Sequence, residues 1–223
     1  MFVYHGSDHI VSNPQYGVGK VTNDYGQGFY CTASEELAYE WAVDSNRDGY
    51  ANTYDFNMDN LNVMDLSNGD FSVVNWIAIL INNREFQIDS LIGLEAKEYI
   101  SRFFLPELKS YDVIRGYRAD DSYFSFAKDF LNNTISLRQL AKAMYLGDLG
   151  EQIVLKSPKA FKNITYMESH EAKSSIWYPR KQFRDESARK MYRDKTKIDF
   201  SVSDIYVRDI LKEEMKNEDI RLQ

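Results

Sequence analysis

The sequence predicts an α+β fold, and three observations support this class. Short apolar or aromatic runs bounded by Gly, Pro, Asn and Asp are typical of strands, and they occur near both ends of the first 170 residues. Between them lie segments whose apolar residues recur at helical spacing. The chain also contains 16 Tyr, 13 Phe and 3 Trp, so it can bury a sizeable core.

Seven strands and seven helices are predicted. The strands are expected at residues 2–5, within 25–31, and at 53–57, 62–65, 111–114, 151–155 and 164–168, with a polar loop over 169–175. The helices are expected from the Thr32–Glu35 capping box to before Asp48, and at 71–82, 94–104, 122–131, 136–146, 181–195 and 203–219. Ser136 is the expected N-cap of the fifth helix, and residues 147–150 are expected to break the chain before the sixth strand.

The charge distribution divides the chain near residue 170. Residues 1–170 contain 14 basic and 23 acidic side chains, whereas residues 171–200 contain nine basic and five acidic ones. A mostly acidic body argues against nonspecific binding to nucleic-acid phosphates. We therefore expect one domain over 1–170 and a charged helical C-terminal extension over 171–223. Its basic segment is either a solvated helix face or a contact for an acidic partner.

Cysteine content and hydropathy indicate a cytoplasmic protein. Cys31 is the single cysteine, so no intrachain disulfide can form, and three histidines do not supply a zinc site with it at the usual spacing. The longest strongly apolar run, 76–81, is far shorter than the roughly 20 residues that span a bilayer. We expect no structural metal and no membrane partner.

Three short motifs in a fixed order point to a function. The first strand ends in Tyr4-His5-Gly6-Ser7, and the second lies in a Gly-x-Gly-Phe-Tyr element that ends at Tyr30, eleven residues before Trp41. A late strand begins with Glu151 and Gln152. This order resembles the His–Tyr–Glu group of ADP-ribosyltransferases. Residues 1–170 as a whole resemble the DUF3990 family, a bacterial family placed in the same fold, which shares the Gly-x-x-Ala-Asp-Asp segment seen here at 116–121.

The resemblance implies a fold and an activity. The fold is an ADP-ribosyltransferase-like split β-sheet with helical insertions, followed here by the helical extension. The activity is mono-ADP-ribosyl transfer from NAD to a macromolecular acceptor, in our expectation a protein, with release of nicotinamide. Such an enzyme is expected to be a bacterial toxin or effector, delivered into a target cell in some systems and held in check by an inhibitory protein partner.

The resemblance also implies roles for five residues that bind NAD. The backbone of Gly6 would pair with the nicotinamide carboxamide, since no Cβ blocks close approach. His5 would bond to the adenosine-side ribose and Ser7 to a ribose or phosphate oxygen. Tyr30 would stack on the cationic nicotinamide ring. Trp41 is either a second stacking aromatic or an ordinary core residue.

The sequence leaves open which acidic and basic residues belong to the site. Glu151 and Gln152 compete for the place of the catalytic glutamate, because successive strand residues face opposite sides of a sheet. If Gln152 faces the cleft, the chain is a weaker transferase, uses another acid, or only binds NAD.

Two further pairs of residues each have two possible roles. Asp120 and Asp121 are either a supplementary acid or a helix cap. Arg115 and Arg118 either hold the pyrophosphate of NAD or form surface ion pairs. The alternative functions are a non-catalytic module that binds NAD, ADP-ribose or a protein, and an NAD glycohydrolase.

Overall fold

The computed structural model describes residues 1–85, 87–118, 121–144, 150–196 and 200–222, without the side chains of 121–124 and 195–196. Its strands are β1 Phe2–Ser7, β2 Phe29–Cys31, β3 Gly49–Phe56, β4 Val63–Asp65, β5 Val113–Tyr117, β6 Glu151–Leu155 and β7 Ile164–Ala172. Its helices are α1 Glu35–Ala42, α2 Val73–Asn83, α3 Leu91–Phe103, α4 Asp121–Leu131, α5 Leu137–Ala143, α6 Pro158–Lys162, α7 Ser174–Thr196 and α8 Val207–Lys212. The predicted α+β class is confirmed.

The strands form two sheets that meet at one point. The first sheet has the order β1-β3-β7 and is antiparallel, and the second has the order β2-β6-β5-β4, in which only β4 and β5 are parallel. Tyr4 and Thr32 exchange two backbone hydrogen bonds of 2.8 and 2.9 Å, which join β1 to the end of β2. Beyond this bridge the two strands are not paired, so a gap opens between the sheets.

Most helices share one core with the second sheet, whereas α1 packs on β1 and β3 of the first sheet. Helix α2 buries every residue from Val74 to Ile81, because it packs against α3 and belongs to the same core cluster as Met64, Ile114 and Val154 of the second sheet. The C-terminal extension joins the same core, since Ala188 of α7 and Val207 and Ile210 of α8 are fully buried in it. Among the described residues, no helix is long and apolar enough to cross a membrane.

Several element boundaries differ from the predictions. The N-cap of α1 is Ser34, whose side chain accepts from the Leu37 N–H, because Thr32 is held in the bridge to Tyr4. The predicted loop after residue 168 is wrong, since β7 continues to Ala172 by pairing with the first half of β3. Helix α7 begins at Ser174, seven residues before its predicted start, and α8 is much shorter than predicted. The five-residue helix α6 was not predicted.

Other predictions hold. Ser136 caps α5 and accepts from the Gln139 N–H, and β6 has the predicted bounds. The predicted break at 147–150 lies outside the described residues, except for Gly150.

Candidate functional site

A cavity of about 590 Å³ lies where the two sheets separate. Its wall is formed by the ends of β1 and β2, by α1, by the loop that joins β1 to β2, and by α7 from the C-terminal extension. This volume is within the range of about 300–1,000 Å³ that is typical of small-molecule sites. Of the candidate site residues named from the sequence, the cavity brings together five, namely His5, Tyr30, Trp41, Arg118 and Gln152.

His5 faces the cavity as a neutral hydrogen-bond acceptor. Its Nδ1 lies 2.7 Å from the Tyr30 carbonyl oxygen, which can only accept, so Nδ1 carries the proton and Nε2 is left as an acceptor. Burial lowers the pKa of His5 below its ordinary value of 6.5, although the bond to Tyr30 acts in the opposite direction. The ring also lies against Phe29, with 4.4 Å between the ring centroids.

The end of β1 is held by Asn52, a fully buried residue of β3 that sequence reasoning missed. Its Nδ2 donates to the His5 carbonyl and to Ser7 Oγ, at 3.1 and 2.9 Å, while its Oδ1 accepts from the Val11 N–H. Ser7 Oγ in turn donates to the His9 carbonyl at 2.7 Å. Ser7 therefore fixes the loop and does not line the cavity. Asn52 lies one residue before the predicted strand 53–57, so no sequence signal singled it out.

Gly6 lies beside the cavity, and α1 occupies the space that a side chain at this position would need. A Cβ at this position would lie 2.1 Å from the Ala38 carbonyl oxygen and 2.9 Å from Trp41 Cβ. The side of Gly6 that a Cβ would occupy is thus filled by α1, so this position needs glycine for the packing of α1 on β1. Its backbone still faces the gap. Tyr4 directs its N–H and C=O towards Thr32, and strand alternation directs those of Gly6 the same way.

Tyr30 contributes its ring to the cavity while its hydroxyl is engaged elsewhere. The hydroxyl donates to the Gly26 carbonyl at 2.6 Å and accepts from the Tyr25 N–H at 3.0 Å. Burial raises the pKa of Tyr30 well above its ordinary value, so the hydroxyl stays protonated. These two bonds fix the tight turn before β2 and hold the ring in one orientation. The ring is therefore the part of Tyr30 that is available to a ligand.

Trp41 combines an aromatic face with an unsatisfied donor. The Arg118 guanidinium lies over the ring, 5.0 Å from its centroid, and both residues line the cavity. Trp41 Nε1 is buried and has no hydrogen-bond partner in the part of the chain that the structure describes. Indole N–H groups in protein interiors usually have one.

The register of β6 decides which of its first two residues faces the cavity. Gln152 lies opposite Gly116, lines the cavity and is 7% exposed, and its Oε1 is buried without a hydrogen-bond partner. Glu151 points to the other face, where Arg115 donates to its Oε2 from Nε at 2.8 Å and from Nη2 at 2.7 Å. Glu151 and Arg115 are thus bound to each other and do not line the cavity. Of the pair Asp120 and Asp121, the first lies outside the described residues, as does the side chain of the second.

Residues 1–166 match the model of a family described as a protein of unknown function, DUF3990. The chain belongs to the DUF3990 family. No curated protein and no solved structure matches it. The DUF3990 region includes His5, Tyr30, Trp41 and Gln152, whereas helix α7 lies beyond it.

Two ion pairs brace the cavity wall, and one of them reaches beyond the DUF3990 region. Asp24 is 4% exposed and accepts from Arg84 Nη1 at 2.6 Å. Glu40 is 2% exposed and accepts from Arg184 of α7, with Nε–Oε2 and Nη2–Oε1 distances of 3.0 Å. Bidentate pairs of this kind fix orientation as well as distance. The second pair holds α7 against α1.

Helix α7 also contributes Lys181 and Asp185 to the wall. Lys181 Nζ donates to the Val43 carbonyl at 3.0 Å, and burial together with the nearby positive charge of Arg118 lowers the pKa of Lys181. From the sequence, this basic segment was expected to be either a solvated helix face or a contact for an acidic partner. The available signal was spacing, since residues 181, 184 and 185 fall on one face of a helix.

Proposed function

We propose that this protein binds NAD in the cavity and transfers its ADP-ribose to a macromolecular acceptor, in our expectation a protein, with release of nicotinamide. One observation carries the proposal. Residues from three separate sequence motifs line a single cavity, and two of them, Trp41 and Gln152, present buried polar atoms that no described residue satisfies. Buried polar atoms normally have a partner, so this donor and this acceptor fit a polar ligand that is bound between them.

The gap between the sheets suits the nicotinamide end of NAD. A carboxamide offers one donor group and one acceptor, which match the backbone C=O and N–H that Gly6 directs into the gap. The Tyr30 ring lies on the cavity wall near this position, opposite Val154 of β6. A cationic pyridinium ring against a Tyr face gains about 0.5–2 kcal/mol.

The ribose hydroxyls need acceptors, and two are available. His5 Nε2 is an acceptor in the neutral ring, and Gln152 Oε1 is an unsatisfied acceptor on the facing strand. Both fit the hydroxyl groups of a dinucleotide. The loop between β1 and β2 would cover the ligand, since Val11, Pro14 and Val18 line its side of the cavity.

The proposed reaction breaks the bond between the ribose C1′ and the nicotinamide nitrogen. The bonding electrons leave with nicotinamide, which becomes neutral, and the acceptor's oxygen or nitrogen forms a new bond to C1′ and loses its proton. Positive charge grows on the ribose between these events, and oriented dipoles stabilise it. The Gln152 oxygen carries only a partial negative charge, so we expect a slower reaction than a carboxylate at this position would give.

The same residue favours a second candidate function. Because the carboxylate of Glu151 is bound to Arg115 on the opposite face, a neutral amide is what β6 presents to the cavity. A module that binds NAD or ADP-ribose without turning it over needs only that amide.

The test incubates purified protein with NAD labelled in its adenylate half and a cell lysate. The variants are Tyr30→Ala, Tyr30→Phe, Gln152→Glu and, as the control on the opposite face, Glu151→Gln. We expect label on a macromolecule with the wild type, loss with Tyr30→Ala, and retention with Tyr30→Phe, which keeps the ring. Gln152→Glu should raise nicotinamide release about tenfold or more, and Glu151→Gln should leave it within about twofold.

Three other outcomes replace the proposal with a different function. Free labelled ADP-ribose without labelled macromolecules identifies an NAD glycohydrolase. Thermal stabilisation by NAD without nicotinamide release identifies the binding module. Neither stabilisation nor release would overturn NAD as the ligand. Circular dichroism of each variant checks that it is folded. An active transferase would fit a bacterial toxin or effector.

A further inference from the structure

The cavity wall has more basic side chains than its acidic side chains can pair with. Of the described residues that line it, four are lysine or arginine and three are acidic, although the chain as a whole has a net charge of −7. Arg84 is paired with Asp24 and Arg184 with Glu40. The third acid, Asp185, pairs with Arg189, which lies outside the cavity, at 3.2 Å. The two remaining wall cations are Arg118 and Lys181.

These two cations come from distant parts of the chain and lie close together. Arg118 follows β5 and lies over the Trp41 ring, while Lys181 lies on α7 and is anchored to the Val43 carbonyl at the end of α1. Burial lowers the pKa of Lys181, and the charge of Arg118 is near enough to lower it further. Asp44, Asp185 and Glu40 oppose this effect, but each is within 3.3 Å of an arginine. A pair of like charges in a partly buried wall costs free energy that a bound anion offsets.

We propose that Arg118 and Lys181 form a subsite for the diphosphate group of a dinucleotide, so that helix α7, beyond the DUF3990 region, is part of the ligand site. Identifying the anion as a dinucleotide diphosphate rests on the proposed function. The anion subsite itself rests on the two cations and their place in the cavity.

The ligand's shape agrees with this location. A dinucleotide carries its negative charge at its centre, between two nucleosides, and each nucleoside needs its own contacts. The cations lie on the part of the wall formed by Trp41 and α7, while His5 and Phe29 form another part. Two cations from separate elements can bind one phosphate each, in the manner of charge-assisted hydrogen bonds.

The test measures the binding of inorganic pyrophosphate, ADP, NAD and adenosine by calorimetry at low salt. The variants are Arg118→Gln and Lys181→Gln, with Lys190→Gln as the control, because Lys190 is an exposed lysine on the same helix. We expect each cavity variant to weaken pyrophosphate, ADP and NAD about tenfold or more, since a hydrogen bond to a charged group is lost. Adenosine binding and the control should change by less than about twofold. Unfolding curves check that all three variants are folded.

The outcomes separate this proposal from the proposed function. If pyrophosphate and ADP bind and lose affinity in the two variants while NAD is not bound, the anion subsite holds and the dinucleotide assignment fails. If NAD binds and Lys181→Gln weakens it no more than Lys190→Gln does, the function stands and the subsite is wrong. If pyrophosphate and ADP do not bind the wild type, the subsite is also wrong.

Discussion

Buried polar groups are treated differently in two regions of the molecule. On the helical side, Asn75 of α2 donates from Nδ2 to the Phe104 carbonyl and to Asn217 Oδ1, both at 2.8 Å, and Gln139 accepts from the Ser136 N–H at 2.7 Å. On the cavity wall, the Trp41 indole N–H and the Gln152 amide oxygen have no partner. The fold can thus satisfy its polar groups where they serve packing, and our proposal that the two on the wall serve binding rests on this difference.

The largest expected effect comes from the ion pair that fixes α7 to the wall. Arg184→Met leaves the Glu40 carboxylate, 2% exposed, without its partner, and should lower the free energy of unfolding by about 3–5 kcal/mol. Arg189→Met, on the exposed side of the same helix, should cost about 1 kcal/mol or less. Urea unfolding of both variants, and of Arg184→Met combined with Glu40→Leu, measures the difference. Equal costs for Arg184 and Arg189 would mean that α7 is not anchored by this pair.

Substitution of Gly6 tests how tightly α1, which forms part of the cavity wall, packs against β1. A Cβ at Gly6 would overlap the Ala38 carbonyl, so Gly6→Ala should cost about 1–3 kcal/mol and displace α1 with Trp41. At Gly17, where the space is open and only the φ of +83° opposes a side chain, Gly17→Ala should cost about 1–2 kcal/mol. Chemical unfolding gives both values, and the NAD affinity of each folded variant separates them. Only Gly6→Ala should weaken NAD binding, and an equal loss in Gly17→Ala would contradict this packing.

Each region contains one buried glutamine, so the same change, Gln→Leu, tests the comparison in both. Gln139→Leu leaves the Ser136 N–H unsatisfied and should cost about 1–3 kcal/mol. Gln152→Leu removes an oxygen that has no partner, so without ligand it should cost less than about 0.5 kcal/mol or stabilise the fold. Unfolding curves without NAD measure both. A large cost at Gln152 would show that its side chain has a structural role.

The smallest effect concerns His5 and pH. The unfolded chain binds a proton at His5 near pH 6.5, whereas burial keeps the folded ring neutral to a lower pH. Stability should therefore fall as the pH drops below 6.5, by at most about 1.4 kcal/mol per pH unit from this group, and be unaffected by it above 6.5. The free-energy difference between the wild type and His5→Gln, measured from pH 7.5 to 5.5, isolates this effect. A flat difference would contradict the lowered pKa.

The sequence was sufficient for most elements, because their signals are local. Apolar periodicity predicts α2, and the Ser136 cap predicts the start of α5. Helix α6 has five residues, too few to show a period, and the second half of β7 is polar because only its pairing with β3 makes it a strand. Local signals could not predict either one.

The site was predictable only in part, because its closure depends on contacts between distant residues. The motifs predicted His5, Tyr30 and Trp41 and left the place of the catalytic glutamate to Glu151 or Gln152. Strand alternation required that only one of the two face the cleft, without choosing between them. The choice required the register of β6 against β5. Helical spacing places residues 181, 184 and 185 on one face of α7, but the contact of that face with the wall depends on Glu40 and Arg184, which are 144 residues apart.

The most direct test of NAD binding at the cavity is the free energy of unfolding with and without NAD in the wild type, Gln152→Leu and Gln139→Leu. A ligand at 100 times its Kd adds about 2.7 kcal/mol to the stability of the protein that binds it. We predict that NAD stabilises the wild type and Gln139→Leu by equal amounts and Gln152→Leu by much less. Equal stabilisation of all three, or of none, would contradict a site for NAD at Gln152.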